Sequence, residues 1–104
     1  MELWEKTHTL YKKMHPLFID KDKELASSLK KSMLSLLATI SQGKAAKSVT
    51  EQRIYYSHAS QTCNRIDTFL QLYINHNISL DNFSAIKEEL DIVVMNLEPN
   101  KAII

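Results

Sequence analysis

Glu5 and His8 are the residues whose types and spacing come closest to a known catalytic arrangement. Di-iron helical bundles use this Glu-x-x-His spacing, but they need two such pairs and two further glutamates that all point into the bundle. At about 100° per residue, Glu5 and His8 project away from the apolar residues of their predicted helix, toward solvent. We therefore expect no metal site at this pair.

The other residues with catalytic potential are badly spaced for chemistry. His8 and His15 lie seven residues apart, which is too far to share one zinc ion. Ser57 and His58 do not face each other on a helix, and Cys63 lies near an apolar face with no base nearby. A single glycine excludes a glycine-rich phosphate loop. The sequence thus predicts that the protein is not an enzyme and has no cofactor.

The basic residues indicate binding rather than catalysis. Residues 1–53 hold ten Lys and Arg against six acids, residues 54–104 hold three against six, and no acid occurs from Leu25 to Thr50. Such a distribution can bind the phosphates of a nucleic acid without reading its sequence. The candidate nucleic-acid-binding residues are Lys30, Lys31, Lys44, Lys47, Arg53 and Arg65. Ordinary charge complementarity between helices or subunits is the alternative explanation.

Cysteine content and hydropathy restrict the cellular setting. The lone Cys63 has no partner for an internal disulfide, which favours a reducing, cytoplasmic environment. No apolar run approaches the roughly 20 residues that span a bilayer. The first residues, MELWEKTH, lack the apolar segment of a secretion signal. We expect a cytoplasmic protein without a membrane partner.

Helices must position these residues, since one glycine and two prolines leave little material for loops. The apolar periodicity predicts helices at about 2–18, 22–42, 49–75 and 79–97. Residues 1–98 would then form an all-α, up-down-up-down antiparallel four-helix bundle, followed by a C-terminal tail at 99–104. Gly43 is expected to end the second helix in a left-handed conformation. Ser48 and Glu51 match the capping box that starts a helix.

Apolar stripes on three of the helices predict the core. On the second helix the stripe consists of Leu25, Leu29, Met33, Leu36 and Ile40. On the third it consists of Tyr55, Ala59, Cys63 (or Thr62), Ile66, Leu70 and Tyr73. On the fourth it consists of Leu80, Phe83, Ile86, Leu90, Val93 and Leu97. The spacings of three and four residues are those of amphipathic helices.

The first helix carries two stripes where a small bundle needs one. Leu3, Thr7, Leu10, Met14 and Leu17 form a core seam, and an aromatic stripe repeats every seven residues beside it. On the second helix, Leu34 lies about 130° from the apolar face. The candidate oligomer or partner interface is therefore Trp4, Tyr11, Phe18 and Leu34. Alternatively, the aromatic stripe only widens the core.

The segment from Leu25 to Leu72 resembles a family of small bacterial four-helix-bundle proteins. The family pattern L-x-x-Q-x-R-R-A-x-x-S-I-x-x-N-I-A-E-G is matched without a gap by Leu25, Lys30, Lys31, Ser35, Leu36, Ile40 and Gly43. The pattern A-x-G-S-x-x-E-L-E-T-x-L is echoed by Ala59, Thr62, Ile66, Asp67, Thr68 and Leu70. Some members are encoded in intervening sequences of large-subunit ribosomal RNA genes. Relatives are accessory variability determinant (Avd) proteins of diversity-generating retroelements.

The retroelement branch of this family implies a ring-like homopentamer that binds a reverse transcriptase and its RNA template or cDNA. Gln42 and Arg65 stand where the family has glutamates, and both changes make this region more positive. That difference favours a member that binds a polyanion. We interpret the chain as a non-enzymatic, homo-oligomeric accessory protein of this kind. The alternative interpretation is a protein–protein interaction module with no nucleic-acid role.

Overall fold

Four α-helices make up nearly all of the part of the chain that the structure, a computed structural model, describes: residues 2–16, 23–74 and 80–97. These residues form α1 (Glu2–Met14), α2 (Lys23–Ala45), α3 (Val49–Ile74) and α4 (Leu80–Leu97), with no strand among them. Each helix packs against the next, and α4 packs back on α1, so α2 and α4 lie diagonally opposite each other. The predicted all-α four-helix bundle is confirmed. The ring-like assembly stays a prediction.

The predicted apolar stripes form the core at most of the positions that the structure describes. Every helix contributes fully or nearly fully buried residues. They are Leu10 and Met14 in α1; Leu29, Met33, Leu36 and Ile40 in α2; Ala59, Cys63, Ile66 and Leu70 in α3; and Ile86, Leu90, Val93 and Leu97 in α4. Both alternatives for the third helix, Cys63 and Thr62, are buried. Thr7 is also buried, and its hydroxyl donates to the carbonyl of Leu3 at 2.8 Å, which satisfies that polar group.

Some predictions lie outside the described residues. These are Leu17, Phe18 and the tail at 99–104, together with the side chains of Tyr73, Leu80 and Phe83. Among the described helices, none combines the length and apolar character needed to cross a membrane.

Gly43 has a different role from the predicted one. α2 continues to Ala45, and none of the described residues has a positive φ, so the prediction of a left-handed helix end at Gly43 is wrong. Instead, Gly43 is buried beneath α3. A Cβ atom at this position would lie 2.4 Å from Cε1 of Tyr56 and 3.3 Å from Cβ of Tyr55. The ring of Tyr56 lies against the α2 backbone at this point, so a residue with a Cβ atom would require that ring to shift.

The connection between α2 and α3 is bridged by side-chain hydrogen bonds at both helix ends. The amide of Glu51 donates to Oγ of Ser48 at 3.1 Å, which confirms Ser48 as the N-cap of α3. From the first turns of α3, Nε2 of Gln52 donates to the carbonyl of Gly43 at 3.2 Å. The same carbonyl also accepts from the backbone amide of Ala46 at 3.3 Å, so two donors reach it at the helix C-terminus. The two side-chain hydrogen bonds join the helix pair through a short connection.

Candidate nucleic-acid and subunit interfaces

The six candidate nucleic-acid-binding residues are all exposed, and they come from α2, α3 and the connection between them. Among the described residues, none of the six has an ion-pair or side-chain hydrogen-bond partner. Lys30, Lys31, Lys44 and Lys47 lie in the acid-free part of the sequence. Their ammonium groups are therefore available to an anionic partner.

The structure groups these residues by their position along the bundle. Lys44 in the last turn of α2, Lys47 in the connection and Arg53 near the start of α3 share one end. Lys30 and Lys31 lie roughly 20 Å away along α2, at a rise of about 1.5 Å per residue. The sixth residue, Arg65, lines a groove between α2 and α3, whereas Lys44 lines a different groove between α1 and α2. A common site for all six stays a prediction.

The groove between α2 and α3 is lined by hydrogen-bonding side chains, with no carboxylate among them. Its lining residues are Ser35, Thr39, Gln42, Tyr55, His58, Gln61, Thr62 and Arg65. The hydroxyl of Thr39 donates to the carbonyl of Ser35 at 2.8 Å, and that of Thr62 donates to the carbonyl of His58 at 3.1 Å. The donors that remain for a ligand are the Arg65 guanidinium, the two glutamine amides and the other hydroxyls.

Gln42 and Arg65 therefore meet in one groove, although the sequence gives only their separate differences from the family pattern. Two glutamates in these places would make the groove acidic. Tyr55 also belongs to this groove, and the neighbouring Tyr56, rather than Tyr55, packs against the core. The predicted core stripe of α3 is wrong at this one position. The reason is the close approach of the Tyr56 ring to Gly43.

Within the aromatic stripe of α1, Trp4 lies beside the last turns of α2. Trp4 and Tyr11 are half-buried and pack against the core, as the wider-core alternative requires, yet each keeps some exposed surface. His8 is stacked between them, with ring centroids 5.0 Å from Trp4 and 6.4 Å from Tyr11. His8 is half-buried, so its side chain is less exposed to solvent than expected.

A second groove runs beside this stripe, lined by Trp4, Glu5, Ser41, Lys44 and Ala45. On the outer side of α2, Leu34 is 46% exposed, in line with its position away from the core stripe. A half-exposed leucine on a helix surface is compatible with a contact between proteins. The interface role of Trp4, Tyr11 and Leu34 stays a prediction.

Sequence reasoning missed a third groove, which lies between α1 and α4. It is lined by Glu5, Lys6, Thr9, Glu89 and Ile92. Nζ of Lys13 donates to Oε1 of Glu89 at 2.9 Å, while Oε2 of Glu89 is buried and has no hydrogen-bond partner among the described residues. Periodicity predicts the polar side of α4, but it gives no indication of which residue of α1 faces Glu89.

In the described part of the chain, no three His, Cys, Asp and Glu side chains are placed to hold a metal ion. Cys63 is buried at 1% exposure.

Comparison with known proteins gives no family for this chain. No protein-family model matches the sequence, and a search of curated proteins gives no match.

Proposed function

We propose that this protein is a non-enzymatic, cytoplasmic accessory protein that assembles with copies of itself and binds a reverse transcriptase and its RNA or cDNA. The observation that carries the nucleic-acid part is a set of exposed lysines in the acid-free part of α2 and its connection, which have no partner among the described residues. The reverse transcriptase and the pentameric state come from the resemblance of the segment from Leu25 to Leu72 to the retroelement proteins.

The physical basis of the nucleic-acid contact is the release of counterions from phosphates. Lys44, Lys47 and Arg53 share one end of the bundle, and Arg65 lies in the groove beside α2. Cations on a rigid helix pair hold a backbone without reading its bases. The groove residues Gln42 and Gln61 add donors that can bind phosphate oxygens.

Binding of single-stranded RNA at several salt concentrations tests this part of the proposal. For Lys44→Glu/Lys47→Glu we expect weaker binding and a shallower salt dependence, with the slope of log affinity against log salt reduced by about 1.4 for two lost phosphate contacts. Lys12→Glu, on the outer side of α1, is the control and should leave the slope unchanged. An unchanged slope in the double variant would show that these lysines do not contact RNA.

The second candidate function is a protein–protein interaction module without a nucleic-acid role. The partly exposed Trp4 and Tyr11 and the exposed Leu34 favour it, since aromatic and apolar groups are typical of protein interfaces. Co-purification with the reverse transcriptase distinguishes the two functions. If this protein binds no RNA, and its complex with the reverse transcriptase survives nuclease and high salt, the interaction module is supported over the lead proposal.

The assembly is tested by the mass of the wild-type protein in solution. The pentamer implied by the resemblance has five times the chain mass of 12.0 kDa. A single species at the monomer mass over the accessible concentration range would refute self-assembly.

A further inference from the structure

The two corners of the bundle occupied by α2 and α4 are opposite in charge. α2 has lysines on its outer side, Lys30 and Lys31, which have no partner among the described residues. α4 has Glu88 and Glu89. Because α2 and α4 are not neighbours within the bundle, these groups do not neutralise each other inside one copy.

One of these acidic groups, Glu89, lines the groove between α1 and α4. Its Oε1 accepts from Lys13 at 2.9 Å, and its side chain stays 28% exposed. A carboxylate with exposed surface can accept a further charged donor. The groove measures about 370 Å³, which leaves room for the end of a lysine side chain.

Apolar side chains accompany the charges on both helices. Leu34 on α2 is 46% exposed and Ile92 on α4 is 44% exposed. Lys30 and Lys31 precede Leu34 by four and three residues, and Glu88 and Glu89 precede Ile92 by the same four and three residues. If α2 of one copy packs parallel to α4 of the next, the two lysines lie opposite the two glutamates when Leu34 lies opposite Ile92. This common register distinguishes the pair of surfaces from scattered surface charge.

We infer that the outer side of α2 in one copy docks on the groove between α1 and α4 of the next copy. The ammonium groups of Lys30 and Lys31 pair with the carboxylates of Glu88 and Glu89, and Leu34 packs against Ile92. The contact is heterologous because it joins two different surfaces, so successive copies form a ring or an open chain. This inference rests on the self-assembly proposed above. It assigns Lys30 and Lys31 to the subunit contact and leaves Lys44, Lys47, Arg53 and Arg65 for nucleic acid.

Reversal of charge on each surface of the full-length chain tests the contact. We expect Lys30→Glu/Lys31→Glu and Glu88→Lys/Glu89→Lys each to sediment at the monomer mass of 12.0 kDa. The variant that combines all four substitutions restores opposite charges across the contact and should recover the wild-type mass. Lys12→Glu is the control, since it reverses an exposed charge outside both surfaces and outside the proposed nucleic-acid site, and it should keep the wild-type mass.

Several outcomes would overturn this contact. If the wild type assembles and Lys30→Glu/Lys31→Glu keeps its mass, the contact is elsewhere and self-assembly itself still stands. This variant changes only exposed, unpaired side chains, and circular dichroism will verify its fold. If the wild type is monomeric at every concentration, the proposed assembly fails together with the contact. The variant Glu88→Lys/Glu89→Lys retains the α2 lysines, so it separates loss of assembly from loss of RNA binding.

Discussion

Gly43 sets the distance between α2 and α3. Its position beneath the Tyr56 ring leaves no space for a Cβ atom, and its carbonyl accepts from the side chain of Gln52. Burial raises the pKa of Tyr56 because the low-dielectric surroundings disfavour the phenolate. A single small residue in the last turns of α2 thus permits the tyrosine to pack against the core.

Gly43→Ala should destabilise the protein although alanine favours a helix. The gain in helix propensity is about 1 kcal/mol, and the collision with Tyr56 costs about 1–3 kcal/mol, so we expect a net loss near 1 kcal/mol. In a Tyr56→Ala background the collision is absent, and Gly43→Ala should stabilise by up to about 1 kcal/mol. Urea unfolding of the four proteins measures this coupling. The same effect in both backgrounds would refute the packing role.

Ser60 is a second residue at which the packing makes a direct prediction. Its hydroxyl oxygen is buried without a hydrogen-bond partner. Ser60→Ala removes this unsatisfied group, and we expect a gain of about 1–2 kcal/mol from both propensity and the lost desolvation cost. Ser57→Ala, at an exposed position of the same helix, should gain only the propensity term of about 0.5 kcal/mol. Equal gains from the two substitutions in thermal unfolding would contradict the buried state of Ser60.

At the scale of the helices, ion pairs connect α4 to both of its neighbours. Lys13 of α1 binds Glu89 at 2.9 Å, and Lys87 binds Asp67 of α3 at 2.5 Å and Asp91 of α4 at 3.5 Å. The Lys13 pair is largely exposed and contributes at most about 1 kcal/mol. Lys87 is more enclosed. Its hydrogen bond to Asp67, with attraction from both carboxylates, raises the pKa of Lys87 despite partial desolvation.

Lys87 should therefore make the protein sensitive to alkaline pH. Because the folded pKa exceeds the unfolded value of about 10.4, its contribution is complete below that pH and is lost as the pH rises through the folded pKa. We expect the unfolding free energy of the wild type to fall more steeply above pH 10 than that of Lys87→Met. Lys44 has no ion pair among the described residues, so the unfolding free energy of Lys44→Met should show the same pH dependence as that of the wild type. Parallel curves for all three proteins would contradict the role of Lys87.

Element-level features differ in how well the sequence predicts them. The core residues Leu29, Met33, Leu36 and Ile40 were predictable because one helical period places them all on one side, whatever the neighbouring helices do. The role of Gly43 was not, since it depends on where α3 crosses α2. The same holds for the meeting of Gln42 and Arg65 and for the orphaned oxygen of Glu89. These features require the axial register between helices, and apolar periodicity leaves that register undefined.

At the scale of the whole molecule, packing is uneven around the bundle. α2 and α3 are the two longest helices and form its most extensive contact, reinforced by the Ser48 cap and the Gln52 hydrogen bond. α1 is the shortest helix, and its contacts with α2 and α4 are smaller. Regions with fewer buried contacts open at lower free energy than the rest. The groove between α1 and α4, where the subunit contact is proposed, therefore borders the least firmly held helix.

This uneven packing predicts an order of hydrogen exchange. Amides in the buried centres of α2 and α3, around Leu36 and Ile66, should exchange most slowly and report global unfolding. Amides around Leu10 in α1 should exchange faster, by about tenfold for every 1.4 kcal/mol difference in opening free energy. The monomeric variant Lys30→Glu/Lys31→Glu removes any protection from neighbouring copies. If the extra protection of the wild type over this variant is confined to α1, α4 and the outer side of α2, it agrees with the proposed contact. Equal protection of α1 and α3 in the variant would show that the bundle opens only as a unit.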